Sequence, residues 1–302
     1  MAKTFSILTL GCKVNQYESE AMSELFEKRG YKEVDNDEFS DVYIVNTCTV
    51  TNLSDRKSRQ FIRKSKKKNP DSVVAVVGCY SQVSPEEVKN IEGVDVVIGT
   101  TERNKIVDLI EEFKDSHKKI NIVKDLKDVR EFANTTNFDN NNRTRAYMKV
   151  QDGCNRFCTY CIIPFARGPI RSREIDDAVR EARILADNGF KEIVLTGIHI
   201  GSFGMDMGDM RLIDLIENIA EIDGIKRIRL SSVEPIIITD EFMERSLKTE
   251  KLCDHFHLSL QSGSNNILKA MNRRYTREEY IEKANIIRKY MPCLLYTSDA
   301  AD

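Results

Sequence analysis

The stretch Asp152-Gly153-Cys154-Asn155-Arg156-Phe157-Cys158-Thr159-Tyr160-Cys161-Ile162-Ile163-Pro164 places three cysteines within eight residues. Three residues separate the first two cysteines, and two residues separate the second from the third. Thiolates this close together in one loop suit an iron–sulfur cluster, but a [4Fe–4S] cube has four irons and this loop offers three thiolates. One iron would therefore stay open to a ligand from outside the protein. The alternatives are an incomplete zinc site, whose fourth Cys or His is not nearby in sequence, and three unrelated thiols.

The composition is typical of a globular protein with about two domains. The chain has 302 residues, of which 41% are hydrophobic and 31% are charged, and its formal net charge is −2. A chain this close to neutral would contact nucleic acid through local basic patches. The sequence contains no apolar run of membrane-spanning length, and a strand pattern begins at Phe5 without a secretory signal before it. We therefore expect a cytoplasmic protein that does not contact a membrane, and the pattern of its eight cysteines fits metal binding in a reducing compartment better than a disulfide framework.

The first third of the chain alternates short apolar runs with amphipathic stretches, which predicts an α/β domain with a parallel sheet over residues 1–114. The predicted strands are residues 5–10, 42–45, 73–77 and 94–98. The predicted helices are residues 16–29, 54–67, a helix that starts at the N-cap and first-turn proline Ser84-Pro85, and 102–113.

Three further cysteines follow three of these strands. Cys12 comes after the first strand, Cys48 after the second and Cys79 after the third. The carboxyl ends of parallel strands share one edge of the sheet, and open α/β sheets bind ligands at that edge. A cysteine is often a small buried residue, but the same placement three times favours a second shared metal site. These three thiolates again suggest a cluster with an open iron.

The second predicted helix is strongly basic. Its basic residues are Arg56, Lys57, Arg59, Arg63, Lys64, Lys66 and Lys67, and Lys68 follows. Two interpretations stay open. The residues form an ordinary solvated face, or they contact the phosphates of an RNA near Cys48, with Arg143 and Arg145 extending the patch.

A polar linker is predicted over residues 115–142, with at most a short strand at 120–123. The βα alternation then resumes over residues 143–292. The predicted strands are residues 146–151, 192–196, 226–230 and 255–260, and the predicted helices are 174–188, 211–222, 240–249 and 277–290. This pattern predicts a partial (β/α) barrel, whose active site lies at the carboxyl ends of the strands.

Polar and glycine-rich segments follow three of the barrel strands. They are Gly197-Ile198-His199-Ile200-Gly201-Ser202-Phe203-Gly204, Ser231-Ser232-Val233-Glu234-Pro235 and Gln261-Ser262-Gly263-Ser264. From them we select as candidate cofactor-binding residues Gly197, His199, Ser231, Glu234 and Gln261. For His199 taken alone a structural role is favoured, and for Glu234 and Gln261 both a structural and a ligand role stay open.

The cysteine loop and its flanks resemble the radical S-adenosylmethionine (radical SAM) enzymes, and more closely the methylthiotransferases. The flanks are Tyr147-Met148-Lys149-Val150-Gln151-Asp152-Gly153 and Ile163-Pro164-Phe165-Ala166-Arg167-Gly168. Four other segments are similar to the family branch that acts on N6-threonylcarbamoyladenosine in tRNA, the MtaB type. They are Thr196-Gly197-Ile198-His199, Arg229-Leu230-Ser231-Ser232-Val233-Glu234-Pro235, His257-Leu258-Ser259-Leu260-Gln261-Ser262-Gly263-Ser264 and Met271-Asn272-Arg273-Arg274-Tyr275-Thr276. The resemblance runs from about residue 4 to Pro292.

The resemblance implies a methylthiotransferase with two [4Fe–4S] clusters, acting on the adenine at position 37 of the tRNA anticodon loop. The catalytic residues Cys154, Cys158 and Cys161 would hold the cluster that binds and cleaves S-adenosylmethionine, and the resulting 5′-deoxyadenosyl radical would remove hydrogen from C2 of the adenine. The cluster on Cys12, Cys48 and Cys79 would supply the sulfur. An electron donor such as flavodoxin or ferredoxin is also implied.

The resemblance leaves alternatives. The substrate could instead be isopentenyladenosine-37 in tRNA or a ribosomal-protein aspartate, and the chain could be an inactive iron–sulfur fragment. Relatives continue with more of the barrel and a C-terminal RNA-binding TRAM domain, whereas residues 293–302 continue no recognisable element. We therefore expect a non-native tail on a truncated barrel without the TRAM domain. Cys253 is expected to be a core thiol, and Cys293 is assigned no role.

Overall fold

The computed structural model describes residues 3–49, 52–133, 144–292 and 295–297, and only the backbone of 52–55 and 295–297. Arg143, Cys293 and the later part of the predicted linker lie outside the described residues. The chain divides into two compact units. The described part of the first unit runs to Val129 and also includes Phe165–Gly168, and all other described residues belong to the second unit. A search of the described residues for a helix that could span a membrane found none.

The first unit contains a six-stranded sheet in which every neighbouring pair is parallel. Its strands are β1 (Thr4–Thr9), β2 (Lys32–Glu33), β3 (Val42–Thr47), β4 (Val73–Gly78), β5 (Val96–Ile98) and β6 (Ile120–Ile122). Their spatial order is β2-β1-β3-β4-β5-β6. All residues of β3 and β4 are buried, as expected for central strands that helices cover on both faces. The predicted parallel α/β class is confirmed.

Helices pack on both faces of this sheet. They are α1 (Lys13–Lys28), α2 (Asn52–Lys68), α3 (Cys79–Val83), α4 (Pro85–Lys89) and α5 (Ile106–Ser116). Because successive strand residues point to opposite faces, Ile44 packs with α1 and α5 in one core cluster, and Val45 packs with α2 in another. The start of α1 lies three residues before the predicted Gln16, and α3 was not predicted. Cys12 and Gly78 stand at their N-caps without a side-chain cap, so the usual sequence signal of a helix start is absent.

The second unit is a partial β/α barrel, as predicted. Its strands are β7 (Ala146–Asp152), β8 (Arg171–Ser172), β9 (Glu192–Gly197), β10 (Arg227–Leu230), β11 (His255–His257) and β12 (Leu295–Thr297). In the sheet, β9 lies between β7 and β10, and these three strands are parallel. The strand β8 pairs antiparallel with the other edge of β7. Parallel bridges Ile228↔Leu252 and Val233↔Leu258 place the chain around β11 beside β10.

Six helices follow the strands of this half of the chain. They are α6 (Ile163–Arg167), α7 (Ile175–Asp187), α8 (Leu212–Ala220), α9 (Asp240–Lys248), α10 (Asn265–Ala270) and α11 (Arg277–Tyr290). Except for α6, they contribute to one hydrophobic core with the barrel strands, which includes Met148, Leu195 and Ile216. The helix α11 begins at a capping box in which the Thr276 hydroxyl accepts from the N–H of Glu279 and the Glu279 carboxylate accepts from the N–H of Thr276.

Two sequence predictions at the end of the barrel were wrong. The strand β11 ends at His257 and not at residue 260, and Gln261, further along the chain, has a positive φ of 62°. The sequence pattern also predicted no strand after Pro292, yet Leu295–Thr297 pairs in parallel with His255–His257. Backbone hydrogen bonding with an adjacent strand stabilises this segment, and such long-range pairing leaves little trace in the local sequence.

Candidate metal centres

The cysteines of the first unit stand at the carboxyl ends of three adjacent strands. Cys12 is the N-cap of α1 after β1, Cys48 directly follows β3, and Cys79 is the first residue of α3 after β4. The strands β1, β3 and β4 are direct neighbours, so the structure brings these cysteines to one edge of the sheet. Cys12 is exposed, Cys48 is half-buried and Cys79 is buried.

Two glycines lie at this edge of the sheet, at positions where a side chain would not fit. Gly11 has a φ of +110°, and a Cβ built on it would lie 2.8 Å from Cβ and 2.9 Å from Sγ of Cys48. Gly78 has a φ of +99°, and a Cβ there would lie 2.6 Å from the carbonyl oxygen of Thr47. Both positions combine a backbone conformation that favours glycine with a lack of room for a side chain.

A buried polar network adjoins the same cysteines. The Asn15 side chain donates to the carbonyl oxygens of Leu10 (2.8 Å) and Thr47 (2.9 Å). The Nε of Arg167 lies 3.2 Å from Sγ of Cys79, and the Arg167 guanidinium also contacts Asn15 and Glu18. Asn15, Glu18 and Arg167 are all buried, and no sequence pattern marked them as site residues.

The cysteines of the second unit lie in a compact loop after β7. Cys154 and Cys158 are buried and Cys161 is half-buried. Burial raises the pKa of the Cys154 thiol, a backbone hydrogen bond from Arg156 opposes that rise, and the neighbouring Cys161 and Cys158 add to it. A positively charged metal would reverse this preference and favour the thiolates.

This loop is fixed to the segment between α10 and α11. The Asn272 amide donates to the carbonyl oxygens of Arg156 (3.2 Å) and Phe157 (3.0 Å), and the N–H of Thr159 donates to the carbonyl oxygen of Met271 (3.2 Å). Phe157 and Asn272 both have positive φ values, of 49° and 57°. Such strained backbone in non-glycine residues is commonly held in place at functional sites.

A buried carboxylate lies beside the loop. Glu234, 5% exposed, is 2.9 Å from Nε2 of His199, 3.1 Å from Arg156 and 3.3 Å from Arg273. Burial opposes ionisation of Glu234, but the hydrogen bond from His199 and the charges of His199, Arg156 and Arg273 outweigh it and lower the pKa of this carboxyl. Arg273 also donates to Sγ of Cys158 at 3.4 Å. The structure thus brings together His199 and Glu234, and it adds two arginines that the sequence analysis did not select.

The other selected residues lie at the same strand ends. Gln261 accepts a hydrogen bond from the hydroxyl of Tyr160, in the cysteine loop (3.0 Å). The buried hydroxyl of Ser231 has no hydrogen-bond partner among the described residues, so it can serve a ligand. A Cβ on Gly197 would lie 2.9 Å from the carbonyl oxygen of Gln151, so this glycine allows the close approach of β9 and β7.

The basic helix α2 divides into partnered and exposed residues. Arg59 pairs with Glu87 and Lys66 with Asp95, while Lys64 pairs with Asp37. Arg56, Arg63 and Lys67 are exposed and share one helical face by their spacing, and no ion pair to them is found within the part of the chain that the structure describes. The solvated interpretation therefore fits part of the helix, and this face stays available to an anion.

The six cysteines carry the thiol groups that iron–sulfur clusters use as ligands. Among the described residues, no three Cys, His, Asp or Glu side chains converge closely enough to hold one metal ion. Each thiolate of a [4Fe–4S] cluster binds a different iron, so its ligands stand apart. Burial raises the pKa of the half-buried Cys253 thiol, the charges of Arg229 and Arg227 oppose this rise, and the charge of Glu192 adds to it.

Comparison with known proteins agrees with this arrangement. The family described as "Uncharacterized protein family UPF0004" matches residues 4–99, and the radical SAM superfamily matches residues 148–298. A threonylcarbamoyladenosine tRNA methylthiotransferase MtaB from Bacillus subtilis is 46% identical over 98% of the chain and 66% of its own length. An MtaB from Aquifex aeolicus is 42% identical over 94% of the chain and 69% of its own length. The chain belongs to the radical SAM methylthiotransferase family.

The family also includes relatives with another named substrate. A tRNA-2-methylthio-N6-dimethylallyladenosine synthase from Sulfurihydrogenibium is 35% identical over 98% of this chain and 68% of its own length. The chain spans about two thirds of the length of these relatives. The family resemblance stated from the sequence is confirmed.

Solved structures confirm the fold. The radical SAM methyltransferase TsrM from Kitasatospora setae superposes with a TM-score of 0.68 at 14% identity, over 99% of this chain and 69% of that one. The radical SAM enzyme OxsB superposes with a TM-score of 0.64 at 14% identity, over 98% of this chain and 49% of that one. At this level of identity the likeness concerns the fold alone.

Proposed function

We propose that this protein is an enzyme that adds a methylthio group to C2 of N6-threonylcarbamoyladenosine at position 37 of tRNA. The observation that carries the proposal is a pair of three-cysteine sets, one in each unit, in a chain of this family. The higher identity to the two MtaB relatives than to the dimethylallyladenosine synthase supports the threonylcarbamoyl substrate. A protein of this kind works in the cytoplasm, where tRNA is modified.

Each three-cysteine set would hold its own [4Fe–4S] cluster. When bound, the cluster of the second unit with S-adenosylmethionine supplies one-electron radical chemistry, and that of the first unit supplies sulfur. Three thiolates per cube leave one iron of each cluster without a protein ligand. The protein's tasks are then to hold these groups, orient the substrate and exclude water.

In the second unit, the chain provides ligands and a polar surround. Cys154, Cys158 and Cys161 would bind the irons, and the Asn272 contacts hold their loop in its strained shape. The ionised Glu234, which His199, Arg156 and Arg273 hold in place, would offer a carboxylate to the amino or hydroxyl groups of S-adenosylmethionine. Gly197, Ser231 and Gln261 complete the proposed cofactor surround, with the unpartnered Ser231 hydroxyl as a further hydrogen-bonding group.

In the first unit, the chain provides ligands at a sheet edge. Cys12, Cys48 and Cys79 would bind the irons, and the lack of side chains on Gly11 and Gly78 allows their close approach. The exposed face of Arg56, Arg63 and Lys67 on α2 follows Cys48 in sequence, and it would contact the tRNA backbone by charge. A flavodoxin or ferredoxin would deliver the electrons.

Mass analysis of tRNA nucleosides tests the substrate. A strain that lacks the endogenous enzyme is complemented with this chain joined to the part of a relative that the chain does not span. The proposal predicts the return of 2-methylthio-N6-threonylcarbamoyladenosine, and a variant with Cys154, Cys158 and Cys161 changed to Ala serves as the control. Return of the methylthio isopentenyladenosine nucleoside instead would reject the branch, and methylthiolation of a ribosomal-protein aspartate would reject the tRNA substrate.

A further inference from the structure

Arg167 is a charged side chain with no exposed surface in the first unit. Burying a guanidinium costs several kcal/mol unless it is paired and hydrogen-bonded, so its position needs fixed partners. Arg167 lies six residues after Cys161 in sequence, yet its Nε lies 3.2 Å from Sγ of Cys79, a residue 88 positions earlier.

The other nitrogens of Arg167 hold the guanidinium in one orientation. Nη1 lies 2.5 Å from Oε1 of Glu18 and Nη2 lies 3.0 Å from Oε2, which makes a two-point contact with this carboxylate. Nη2 also donates to Oδ1 of Asn15 at 2.7 Å. Glu18 is itself 2% exposed and is held by Arg103 at 2.6 Å. The geometry leaves Nε aimed at the sulfur.

The same network reaches the other two cysteines through Asn15. Its amide nitrogen donates to the carbonyl oxygen of Leu10, two residues before Cys12, and to that of Thr47, directly before Cys48. Its Oδ1 lies 3.7 Å from Sγ of Cys12. One buried cluster of side chains therefore supports all three strand ends that carry the cysteines.

A cation that donates to a ligand sulfur changes the redox behaviour of a cluster. Hydrogen bonds to the sulfurs and nearby charge are among the factors that set iron–sulfur potentials, because the reduced cluster carries more negative charge than the oxidised one. A positive charge fixed in a low-dielectric interior acts more strongly than one in water.

We propose that Arg167 is a positioning residue of the first unit's cluster, and that its N–H to the Cys79 sulfur raises the midpoint potential of that cluster. Glu18 and Asn15 fix the direction of this donor. The inference rests on the proposed function, since it requires a cluster on Cys12, Cys48 and Cys79.

The test measures the first unit's cluster alone, in the full chain with Cys154, Cys158 and Cys161 changed to Ala. This parent is reconstituted anaerobically, and its iron content and midpoint potential are measured by a redox titration followed by electron paramagnetic resonance. Arg167→Gln removes the charge and the Nε–H donor, Arg167→Lys keeps the charge but changes the donor geometry, and Arg103→Lys is the matched control, because Arg103 contacts the same Glu18. Urea unfolding of each apo variant reports the fold.

We expect the potential to move to more negative values in Arg167→Gln, to move less in Arg167→Lys, and to stay unchanged in Arg103→Lys. If Arg167→Gln loses its cluster while Arg103→Lys retains it, the potential of Arg167→Lys decides: a more negative value supports the inference, and an unchanged value overturns it. An unchanged potential at normal iron content in both Arg167 variants would overturn the inference and leave the proposed function intact, as would equal shifts in the Arg103 and Arg167 variants. A parent without iron would reject the cluster of the proposed function and this inference with it.

Discussion

The two three-cysteine sets are built in different ways. In the second unit, Cys154, Cys158 and Cys161 lie within one loop and are near each other by chain connectivity alone. In the first unit, Cys12, Cys48 and Cys79 belong to three strands, and only the parallel pairing of β1, β3 and β4 brings them together. A local site depends on the shape of its loop, whereas a dispersed site depends on the whole sheet.

The supports of the two sets differ accordingly. The loop set is held from outside by hydrogen bonds from Asn272 and an N–H of Arg273. The strand-end set is supported from within by the buried Asn15 network and by Gly11 and Gly78, whose surroundings have no room for a side chain. Each set should therefore respond to different substitutions, and this expectation can be tested.

The largest effect is expected from removal of either ligand set. Changing Cys154, Cys158 and Cys161 to Ala should abolish both the release of 5′-deoxyadenosine and methylthio transfer. Changing Cys12, Cys48 and Cys79 to Ala should leave 5′-deoxyadenosine release intact and abolish methylthio transfer. Both products are measured by chromatography with reductant and tRNA. Loss of cleavage in the second variant would show that the sets do not divide the chemistry in this way.

Next in size is the effect of Gly11→Ala on the dispersed set. The new Cβ would meet Cys48, and the backbone φ of +110° is unfavourable for alanine, so we expect destabilisation by about 1–3 kcal/mol and loss of iron from this set. Urea unfolding and iron analysis in the loop-cysteine-to-Ala parent provide the measurement. Gly189→Ala is the control, because its φ is +92° but its Cβ would meet nothing within 4 Å. Equal iron loss in both variants would contradict the steric explanation.

A smaller effect is expected from Asn272, which supports the loop set. Asn272→Gly keeps the positive φ but removes the amide, and Asn272→Ala also adds a backbone cost of about 1–2 kcal/mol. Both variants should lose iron faster to a chelator from the loop set, with the Ala variant faster than the Gly variant. The potential and iron content of the strand-end set should not change. A Gly variant with wild-type loss rates would mean that the amide hydrogen bonds do not hold the loop.

The smallest effect concerns RNA binding by the first unit. Changing Arg56, Arg63 and Lys67 to Gln should weaken tRNA affinity and reduce the slope of log affinity against log salt by about two, for three lost phosphate contacts. The double variant Lys64→Gln/Lys66→Gln is the control on the same helix, since these lysines already form ion pairs with Asp37 and Asp95. A filter-binding titration at several salt concentrations measures both. Equal slopes for the two variants would favour the purely solvated interpretation of α2.

The two cysteine sets could be predicted from the sequence because each is marked by a local sequence pattern. The loop set is dense in sequence, and the dispersed set follows three predicted strands at their carboxyl ends. Arg167 and Glu18 leave no such trace, because they meet across 149 positions of sequence and a buried ion pair reads locally as two ordinary charged residues. The strand β12 was missed for a similar reason, since its pairing with β11 is long-range.

The central claim is that each three-cysteine set holds its own cluster. Iron and acid-labile sulfide analysis of the unsubstituted chain after anaerobic reconstitution tests it most directly. The account predicts about eight irons per chain, and about four in each of the two Cys-to-Ala triple variants, by the ligand count of [4Fe–4S] clusters. A content of about four irons in the unsubstituted chain, equal to that of one triple variant, would contradict the two-cluster account.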